Sequence, residues 1–300
     1  MAGRLLLLDT ASLYYRAFFG LPDSLKGPDG TVVNAVRGMV DFAATLIARE
    51  DQSPAAVVAC WDDDWRPQWR VDLVPSYKTQ RLADGSADAE ETPDLLAPQV
   101  PLIAEVLGLA GIPVVGAPEA EADDVIGTLA HTWDGPVDVV TGDRDLFQLV
   151  DDARPVRVLY TARGVAKLDT VDAAWIGDKY GIEPAAYVDF AVMRGDASDG
   201  LPGVAGIGEK TAAALVNEFT DLDGILAAAA DDASSIKPRA RGSLLDSRDY
   251  IDAARTVVAV RADLDVAVPD PLPSPDADGL RAFGERWGVG GPVDRLLAQL

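Results

Sequence analysis

The sequence contains a single cysteine, Cys60, and a single histidine, His131, and it has no long apolar run. One cysteine excludes an internal disulfide, and one cysteine with one histidine excludes a zinc site built from these two residue types. A membrane-spanning helix needs about 20 mostly apolar residues in a row. The apolar segment at the N-terminus ends at Asp9 and lacks the small-residue cleavage site of a signal peptide. We therefore expect a cytoplasmic chain without a membrane segment.

Basic residues are also scarce. The 300 residues include 26 lysines and arginines against 49 aspartates and glutamates, which gives a net charge of −23. As a total, this charge disfavours nucleic acid, because lysine and arginine supply the affinity for phosphate. An acidic total also arises when many carboxylates converge on divalent cations, so the positions of the acids matter more than their sum.

Short apolar runs that end in acidic residues recur in the first half of the chain. They cover residues 4–10, 55–64, 112–124 and 137–146, and their length suits buried parallel strands. Helical patterns separate them at 34–50, 94–110 and 122–133, the second with prolines that should kink it. This alternation predicts an α/β fold with a doubly wound, mostly parallel sheet, in which ligands bind at the carboxyl ends of the strands.

The pattern divides the chain into three predicted regions. Residues 1–170 form the α/β core, and the polar, aperiodic residues 70–92 predict a long mobile loop or arch inserted in it. Residues 171–260 read as a helical region. We expect residues 261–300, which begin with a strip rich in proline and aspartate, to pack back on the core as a C-terminal extension.

Acidic residues follow the predicted strands, and each group has an ordinary structural explanation when taken alone. Asp9 suits a helix N-cap, residues 61–65 (WDDDW) suit a solvated turn, and the acids of residues 119–124 suit the first turn of a helix. Asp143 and Asp145 are two apart on an extended segment, so both point to one side. Asp196 and Asp199 are one helical turn apart and also share a face.

Together, these groups predict a single acidic cleft at the strand ends. Many unpaired carboxylates cannot share a small volume without cations, and ligands that are all oxygen favour Mg²⁺ or Mn²⁺. Enzymes that hydrolyse phosphodiester bonds commonly bind two such ions.

The glycine-rich segment 203–211 (GVAGIGEKT) is a near match to two nucleotide-binding motifs. A P-loop requires adjacent glycine and lysine, but Glu209 separates Gly208 from Lys210, and the dinucleotide fingerprint fails because Thr211 replaces its third glycine. The remaining interpretation is a hairpin between helices, whose backbone N–H groups bind phosphate at the start of a helix over 209–219. The alternative is a tight turn between packed helices.

The few basic residues stand among aromatic ones. Arg16 has Tyr14, Tyr15, Phe18 and Phe19 around it, and the start of the predicted arch carries four basic and two aromatic residues: Arg66, Trp69, Arg70, Tyr77, Lys78 and Arg81. Charge combined with aromatic faces suits a phosphate backbone and an unpaired base. The alternative for the aromatic residues is core packing, which we prefer for Phe18 and about half of the others.

Five segments give the sequence a family resemblance. It resembles the bacterial flap endonuclease/5′-nuclease family, which includes the 5′→3′ exonuclease domain of DNA polymerase I, over roughly residues 4–260. The segments appear in the family's order: LLLLDTASLYYRAFFGLP, VPSYKTQR, EAEADDVIGTLA, VVTGDRDLFQLV and MRGDASDGLPGVAGIGEKTAAALV. The resemblance implies a PIN-like 5′-nuclease core with a helical arch and a C-terminal helix–hairpin–helix. Because the chain stops where a polymerase would begin, it resembles a stand-alone member.

The resemblance also implies an activity and its residues. The activity is cleavage of 5′ flaps and 5′ ends on branched DNA and on RNA–DNA hybrid ends, with two or three divalent ions. The implied metal ligands are Asp9, Glu121, Asp123, Asp124, Asp143, Asp145, Asp196, Asp199 and one of Asp62 and Asp63. Arg16, Lys78 and Arg81 match positions that contact the scissile phosphate or thread the 5′ strand. The implied DNA-binding residues are Tyr77, Gly203, Gly206, Gly208, Lys210 and Thr211, the glycines in a hairpin assisted by K⁺.

The expected partner is DNA, and we expect a functional link to a DNA polymerase and a ligase. The protein is expected to be a monomer associated with the nucleoid. Two other hypotheses remain at this point. One is a structure-specific DNA-binding protein without turnover, and the other is a toxin-like ribonuclease built on the same core.

Overall fold

The computed structural model describes residues 2–49 and 54–300, and this part of the chain contains one six-stranded sheet. The strands are β1 Leu5–Asp9, β2 Ala56–Cys60, β3 Val114–Val115, β4 Val137–Thr141, β5 Val156–Tyr160 and β6 Asp169–Val171. Their order across the sheet is β3-β2-β1-β4-β5-β6, and every neighbouring pair is parallel except β5 with β6. The predicted α/β fold with a mostly parallel sheet is confirmed.

The described residues also form thirteen α-helices. They are α1 Thr10–Gly20, α2 Asn34–Ile47, α3 Gln68–Leu73, α4 Val100–Leu109, α5 Ala122–Thr132, α6 Ala173–Tyr180, α7 Tyr187–Arg194, α8 Glu209–Phe219, α9 Leu222–Ala230, α10 Pro238–Asp246, α11 Arg248–Val258, α12 Ala277–Trp287 and α13 Gly290–Leu297. None of the helices in this part of the chain is long and apolar enough to cross a membrane.

The helices cover both faces of the sheet because alternate residues of each strand point to opposite sides. Leu5 and Leu7 of β1 pack in one core with residues of α5, α7 and α11. Leu6 and Leu8 pack in a second core with α1, α2 and α4, and this core also includes Phe283 of α12 and Leu296 of α13. The last two helices therefore pack against the α/β layers.

Two predicted elements differ in their boundaries. The helix predicted over 94–110 begins only at Val100, because Pro101 occupies its first turn and a 3₁₀ turn at Ala97–Gln99 precedes it. Proline is favoured at this position, where its missing N–H has no helical partner, so it starts the helix instead of kinking it. The helix predicted over 209–219 begins and ends at those residues.

Residues 70–92 contain more regular structure than a wholly aperiodic loop. They include most of α3, a 3₁₀ turn at Thr79–Arg81 and an antiparallel bridge between Leu82 and Glu90. The segment lies over the carboxyl ends of β1 and β2, where Lys78, Arg81 and Glu90 line the same cavity as Asp9.

Candidate active site

A cavity of about 370 Å³ opens at the carboxyl ends of β1, β2 and β4. Its walls carry five of the predicted acids and two of the predicted basic residues: Asp9, Asp62, Glu121, Asp123, Asp143, Lys78 and Arg81. The five acids come from four distant segments of the sequence, and the parallel sheet brings them to one edge.

Asp9 ends β1 and caps α1. Its Oδ1 accepts a hydrogen bond from the Ser12 N–H at 3.1 Å, and its Oδ2 accepts one from the Thr141 hydroxyl at 2.6 Å. Burial, with the nearby carboxylates of Asp62 and Asp143, raises the pKa of Asp9 to about 7 even though the hydrogen bond from Thr141 lowers it. The N-cap role and the cavity-facing position are therefore combined in one residue.

The structure distinguishes Asp62 from Asp63. Asp62 faces the cavity, and its Oδ1 accepts a hydrogen bond at 2.8 Å from the N–H of Ala122, the first residue of α5. Burial raises the pKa of Asp62. Asp63 is exposed, and its carboxylate lies over Gly116, where a Cβ would come within 2.4 Å of Oδ1. Asp63 therefore points away from the cavity.

The start of α5 presents Glu121 and Asp123 to the cavity. Glu121 is 2% exposed, and its carboxylate accepts hydrogen bonds from the Tyr77 hydroxyl at 2.8 Å and from the Lys78 ammonium. Burial, together with the carboxylates of Asp143 and Asp9, raises the pKa of Asp123 well above its ordinary value. Several carboxylates thus share a volume that disfavours their charged form.

Asp124 does not face the cavity, and this corrects the expectation that it is a metal ligand. It is 0% exposed and forms two hydrogen bonds with the Arg70 guanidinium, both at 2.7 Å. Its two oxygens also accept the N–H groups of Arg261 at 2.9 Å and Glu121 at 3.2 Å. Because each oxygen already accepts two hydrogen bonds, Asp124 has a structural role at this position.

Tyr77 and Arg70 are likewise buried, at 5% and 2% exposure, which corrects their predicted contact with DNA. Stacking on an unpaired base requires an exposed ring face, whereas the Tyr77 hydroxyl is bound to Glu121. The Arg70 Nε donates to the Val257 carbonyl at the end of α11, so this arginine joins the base of the predicted arch to the helical region. Arg66 donates from Nε to the Tyr77 carbonyl at 2.6 Å.

Asp143 and Asp145 follow β4. Asp143 lines the main cavity, and its Oδ1 accepts the N–H of Asp145 at 2.8 Å. The Oδ1 of Asp145 is buried and accepts no hydrogen bond from the described residues. Burial, with the charges of Asp143, Asp199 and Asp196, raises the pKa of Asp145 well above its ordinary value. A buried carboxylate oxygen without a partner indicates a place for a missing ligand.

Asp196 and Asp199 lie in a short turn after α7. Asp199 lines a much smaller cavity of about 20 Å³, together with Glu121, Asp123 and Asp145, and its carboxylate is paired with Arg81. Asp196 accepts the Ser198 N–H at 2.8 Å, and although burial favours its neutral form, its hydrogen bonds with Ser198 lower its pKa. Asp196 lines neither of these two cavities.

The three predicted basic residues have different surroundings. Lys78 is 7% exposed and has a positive φ of 49°, and the neighbouring Glu121 carboxylate raises the pKa of its ammonium group even though burial lowers it. Arg81 is partly exposed at the mouth of the cavity. Arg16 lies beside Gly142 in an adjacent groove, and its Nε is buried without a hydrogen-bond partner among the described residues.

The glycine-rich hairpin joins α7 to α8. Val204 and Ile207 are buried, whereas Gly206, Gly208, Lys210 and Thr211 are exposed. Gly203 and Gly206 have φ values of +68° and +78°, a region that glycine adopts readily and other residues rarely do. The hairpin therefore exposes backbone at the N-terminus of an 11-residue helix, where N–H groups attract anions.

The residues of the site fit divalent ions that keep part of their water shell. The donors are all carboxylates, several have raised pKa values, and the Asp145 Oδ1 has no partner. Within residues 2–49 and 54–300, however, no three acidic or histidine side chains converge on one point closely enough to hold an ion directly. Lysine and arginine hold two of the carboxylates instead, in the pairs Lys78–Glu121 and Arg81–Asp199. Mg²⁺ commonly keeps several waters and takes few protein ligands.

Sequence reasoning missed three residues of the cavity, Trp61, Trp65 and Glu90. Tyr14 and Tyr15, which the sequence marked as aromatic neighbours of Arg16, line it as well. Trp61 and Trp65 flank the three aspartates in the sequence, and Glu90 belongs to the acidic end of the arch segment, so composition marked the segments without showing which side chains point inward.

Two family models and several bacterial relatives match the chain. Residues 4–181 match the family model described as 5′-3′ exonuclease, N-terminal resolvase-like domain, and residues 182–274 match 5′-3′ exonuclease, C-terminal SAM fold. A 5′-3′ exonuclease of Streptomyces coelicolor is 55% identical over 98% of this chain and 99% of its own length. A 5′-3′ exonuclease of Mycobacterium tuberculosis is 47% identical over 99% of this chain and 97% of its own.

A solved structure supports the fold. The bacteriophage T5 flap endonuclease, in a pseudo-enzyme–product complex with DNA and metal ions, has a TM-score of 0.65 at 18% identity, over 99% of this chain and 98% of its own. The family models together span most of the chain, and the two bacterial relatives match it almost from end to end. The chain belongs to the 5′-3′ exonuclease family.

Proposed function

We propose that the protein is a metal-dependent 5′→3′ exonuclease and 5′-flap endonuclease. It hydrolyses phosphodiester bonds in branched or nicked DNA and removes RNA primers. The observation that carries the proposal is the convergence of Asp9, Asp62, Asp123 and Asp143 in one cavity with Lys78 and Arg81 beside them. Carboxylates for cations and fixed positive charges for a phosphate are the two requirements of metal-assisted phosphoryl transfer.

The proposed ligands of two Mg²⁺ or Mn²⁺ ions are acids that line or adjoin the two cavities. They are Asp9, Asp62, Glu121, Asp123, Asp143, Asp145 and Asp199, with Asp196 nearby. Such ions supply an activated water and charge stabilisation of the departing 3′ oxygen.

The chain's own side chains position the substrate. Lys78 and Arg81 are placed to bind the scissile phosphate, because both border the cavity on the side of the arch segment. Arg16, with its unpartnered Nε, lies on the adjacent groove and suits a neighbouring phosphate of the same strand. Closure of the arch segment over the site would exclude bulk water.

The hairpin is the proposed contact with duplex DNA. It offers backbone N–H groups and one positive charge to a phosphate, from the exposed residues Gly206, Gly208, Lys210 and Thr211. A K⁺ ion bound by the turn would assist. A role in primer removal and repair implies a functional link to a DNA polymerase and a ligase. We also propose that the protein acts in the cytoplasm as a monomer.

A digest of a 5′-labelled DNA flap tests the function. With Mg²⁺ we expect short labelled products cut near the junction, and with EDTA no products, because the carboxylate site needs cations. Asp145→Asn should lower the cleavage rate by at least about 100-fold while DNA binding persists, because its buried oxygen has no hydrogen-bond partner among the described residues and is a position for a metal ligand. Asp178→Asn, an exposed aspartate of α6, is the matched control and should cleave normally.

Three outcomes would contradict the proposal. Full activity of Asp145→Asn would show that the carboxylate of Asp145 is not part of the active site. A flap that is bound but never cut with Mg²⁺ or Mn²⁺ would indicate a DNA-binding protein without turnover. Preferred cleavage of single-stranded RNA over the DNA flap would indicate a ribonuclease.

A further inference from the structure

Arg194, the last residue of α7, is a buried charge that the mechanism above does not use. Its side chain is 10% exposed, and its guanidinium carbon lies 5.1 Å from the centre of the Phe190 ring. The Nε donates to the Gly195 carbonyl at 3.3 Å. Packing against the ring and the hairpin backbone therefore fixes the position of the charge.

The two terminal nitrogens of Arg194 are close to carboxylates but do not bond to them. Nη2 lies 3.8 Å from the Asp145 Oδ1 and 3.9 Å from the Asp196 Oδ2, too far for hydrogen bonds. Neither Nη1 nor Nη2 donates a hydrogen bond to any residue that the structure describes, and the Asp145 Oδ1 accepts none. A buried arginine normally has its donors satisfied, so this arrangement is typical of a site that a ligand completes.

Resting on the function proposed above, we propose that Arg194 is a resident cation beside the ion subsite at Asp145, between this residue and Asp196. Its charge makes this subsite weaker than the one around Asp9 and Asp123. A carboxylate oxygen beside a permanent positive charge is a poorer ligand for a divalent cation, because the two cations repel. At a separation of about 6 Å, the repulsion between a single and a double charge corresponds to about a tenfold loss of affinity even at the dielectric constant of water. The result is two unequal subsites in one cleft.

Arg144 provides a matched comparison. Its Nη2 lies 3.5 Å from the same Asp196 Oδ2, but its side chain is 45% exposed. Water and salt screen an exposed charge far more than a buried one. Both arginines carry one charge beside Asp196, and only Arg194 is buried next to Asp145.

Calorimetric titration of Mn²⁺ into the EDTA-treated, dialysed protein without DNA tests the inference. The wild type should bind a tighter and a weaker class of ion. In Arg194→Met, which keeps an apolar side chain over Phe190, the weaker class should tighten by about tenfold. Arg194→Lys keeps the charge and should bind like the wild type, and Arg144→Met should shift the affinity by less than about twofold.

The outcomes separate this inference from the proposed function. Ion affinities in Arg194→Met within about twofold of the wild type, or an equal shift in Arg144→Met, would overturn the role of Arg194. No ion binding by the wild type would instead contradict the metal-dependent function. Circular dichroism of each variant establishes that it is folded, and if Arg194→Met is unfolded, Arg194→Gln replaces it with the same expected tightening.

Discussion

Asp123 and Asp124 are neighbours in the sequence with opposite surroundings. Asp123 faces the cavity among other carboxylates, and Asp124 is bound to Arg70 from a segment 54 residues away. First-turn acids of a helix point in different directions about 100° apart, so one can serve the site while the next serves the core. The sequence marks both residues equally, and only the tertiary contact with Arg70 distinguishes them.

Asp124→Asn should act on stability, because it leaves a buried arginine without its main counter-charge. We expect the free energy of unfolding to fall by about 3–5 kcal/mol. Urea unfolding measures this loss, and the ion affinity of the folded fraction should stay unchanged. Asp123→Asn is the paired control. It should lose ion binding without a comparable loss of stability, and loss of ion binding in Asp124→Asn alone would restore the metal-ligand interpretation.

At the scale of elements, the sequence predicted those helices and strands that depend mainly on interactions within one segment. The buried strands, the mostly parallel sheet and the bounds of α8 followed from apolar runs and a glycine-rich helix start. The inward direction of Asp62 and the burial of Tyr77 and Arg70 did not, because each depends on a partner elsewhere in the chain. Arg194 gave no signal at all, since an arginine at a helix end is ordinary.

The hairpin offers a paired test of backbone geometry. Gly203 and Gly206 both have positive φ, but a Cβ on Gly203 would come within 2.7 Å of the Arg194 carbonyl, whereas a Cβ on Gly206 would meet no atom within 4 Å. Gly206→Ala should therefore cost only the left-handed conformation, about 1–2 kcal/mol. Gly203→Ala should cost clearly more, because the backbone must also move. Thermal unfolding measures both, and equal losses would show that steric contact at Gly203 is unimportant.

At the scale of the whole molecule, the chain has a net charge of −23, and several of its buried acids have raised pKa values in the site, among them Asp9, Asp123 and Asp145. The pKa of Asp9 is about 7 in the folded protein, whereas its ordinary value is 3.8. The folded state therefore binds this proton more tightly than the unfolded state does. Its contribution to stability is therefore complete below the ordinary value and is lost as the pH rises through about 7.

This linkage predicts the response to pH and metal. In EDTA, the melting temperature should fall between about pH 5 and about pH 8, because the site must lose protons that the folded state binds. Mg²⁺ should raise the melting temperature more at the higher pH, where the carboxylates are free of protons. Differential scanning calorimetry at both pH values measures the two effects. A melting temperature that rises with pH in EDTA, or an equal Mg²⁺ effect at both values, would contradict the raised pKa values.

The pairs Lys78–Glu121 and Arg81–Asp199 have a consequence for how the two ligands of the protein influence each other. In this conformation each basic residue proposed to bind phosphate is paired with a carboxylate proposed to bind metal. A divalent ion that takes the carboxylates frees lysine and arginine for DNA, and DNA that takes the cations frees the carboxylates for ions. Metal and DNA are then mutual effectors with one shared coupling energy, which DNA titrations of Asp145→Asn with and without Mg²⁺ would measure.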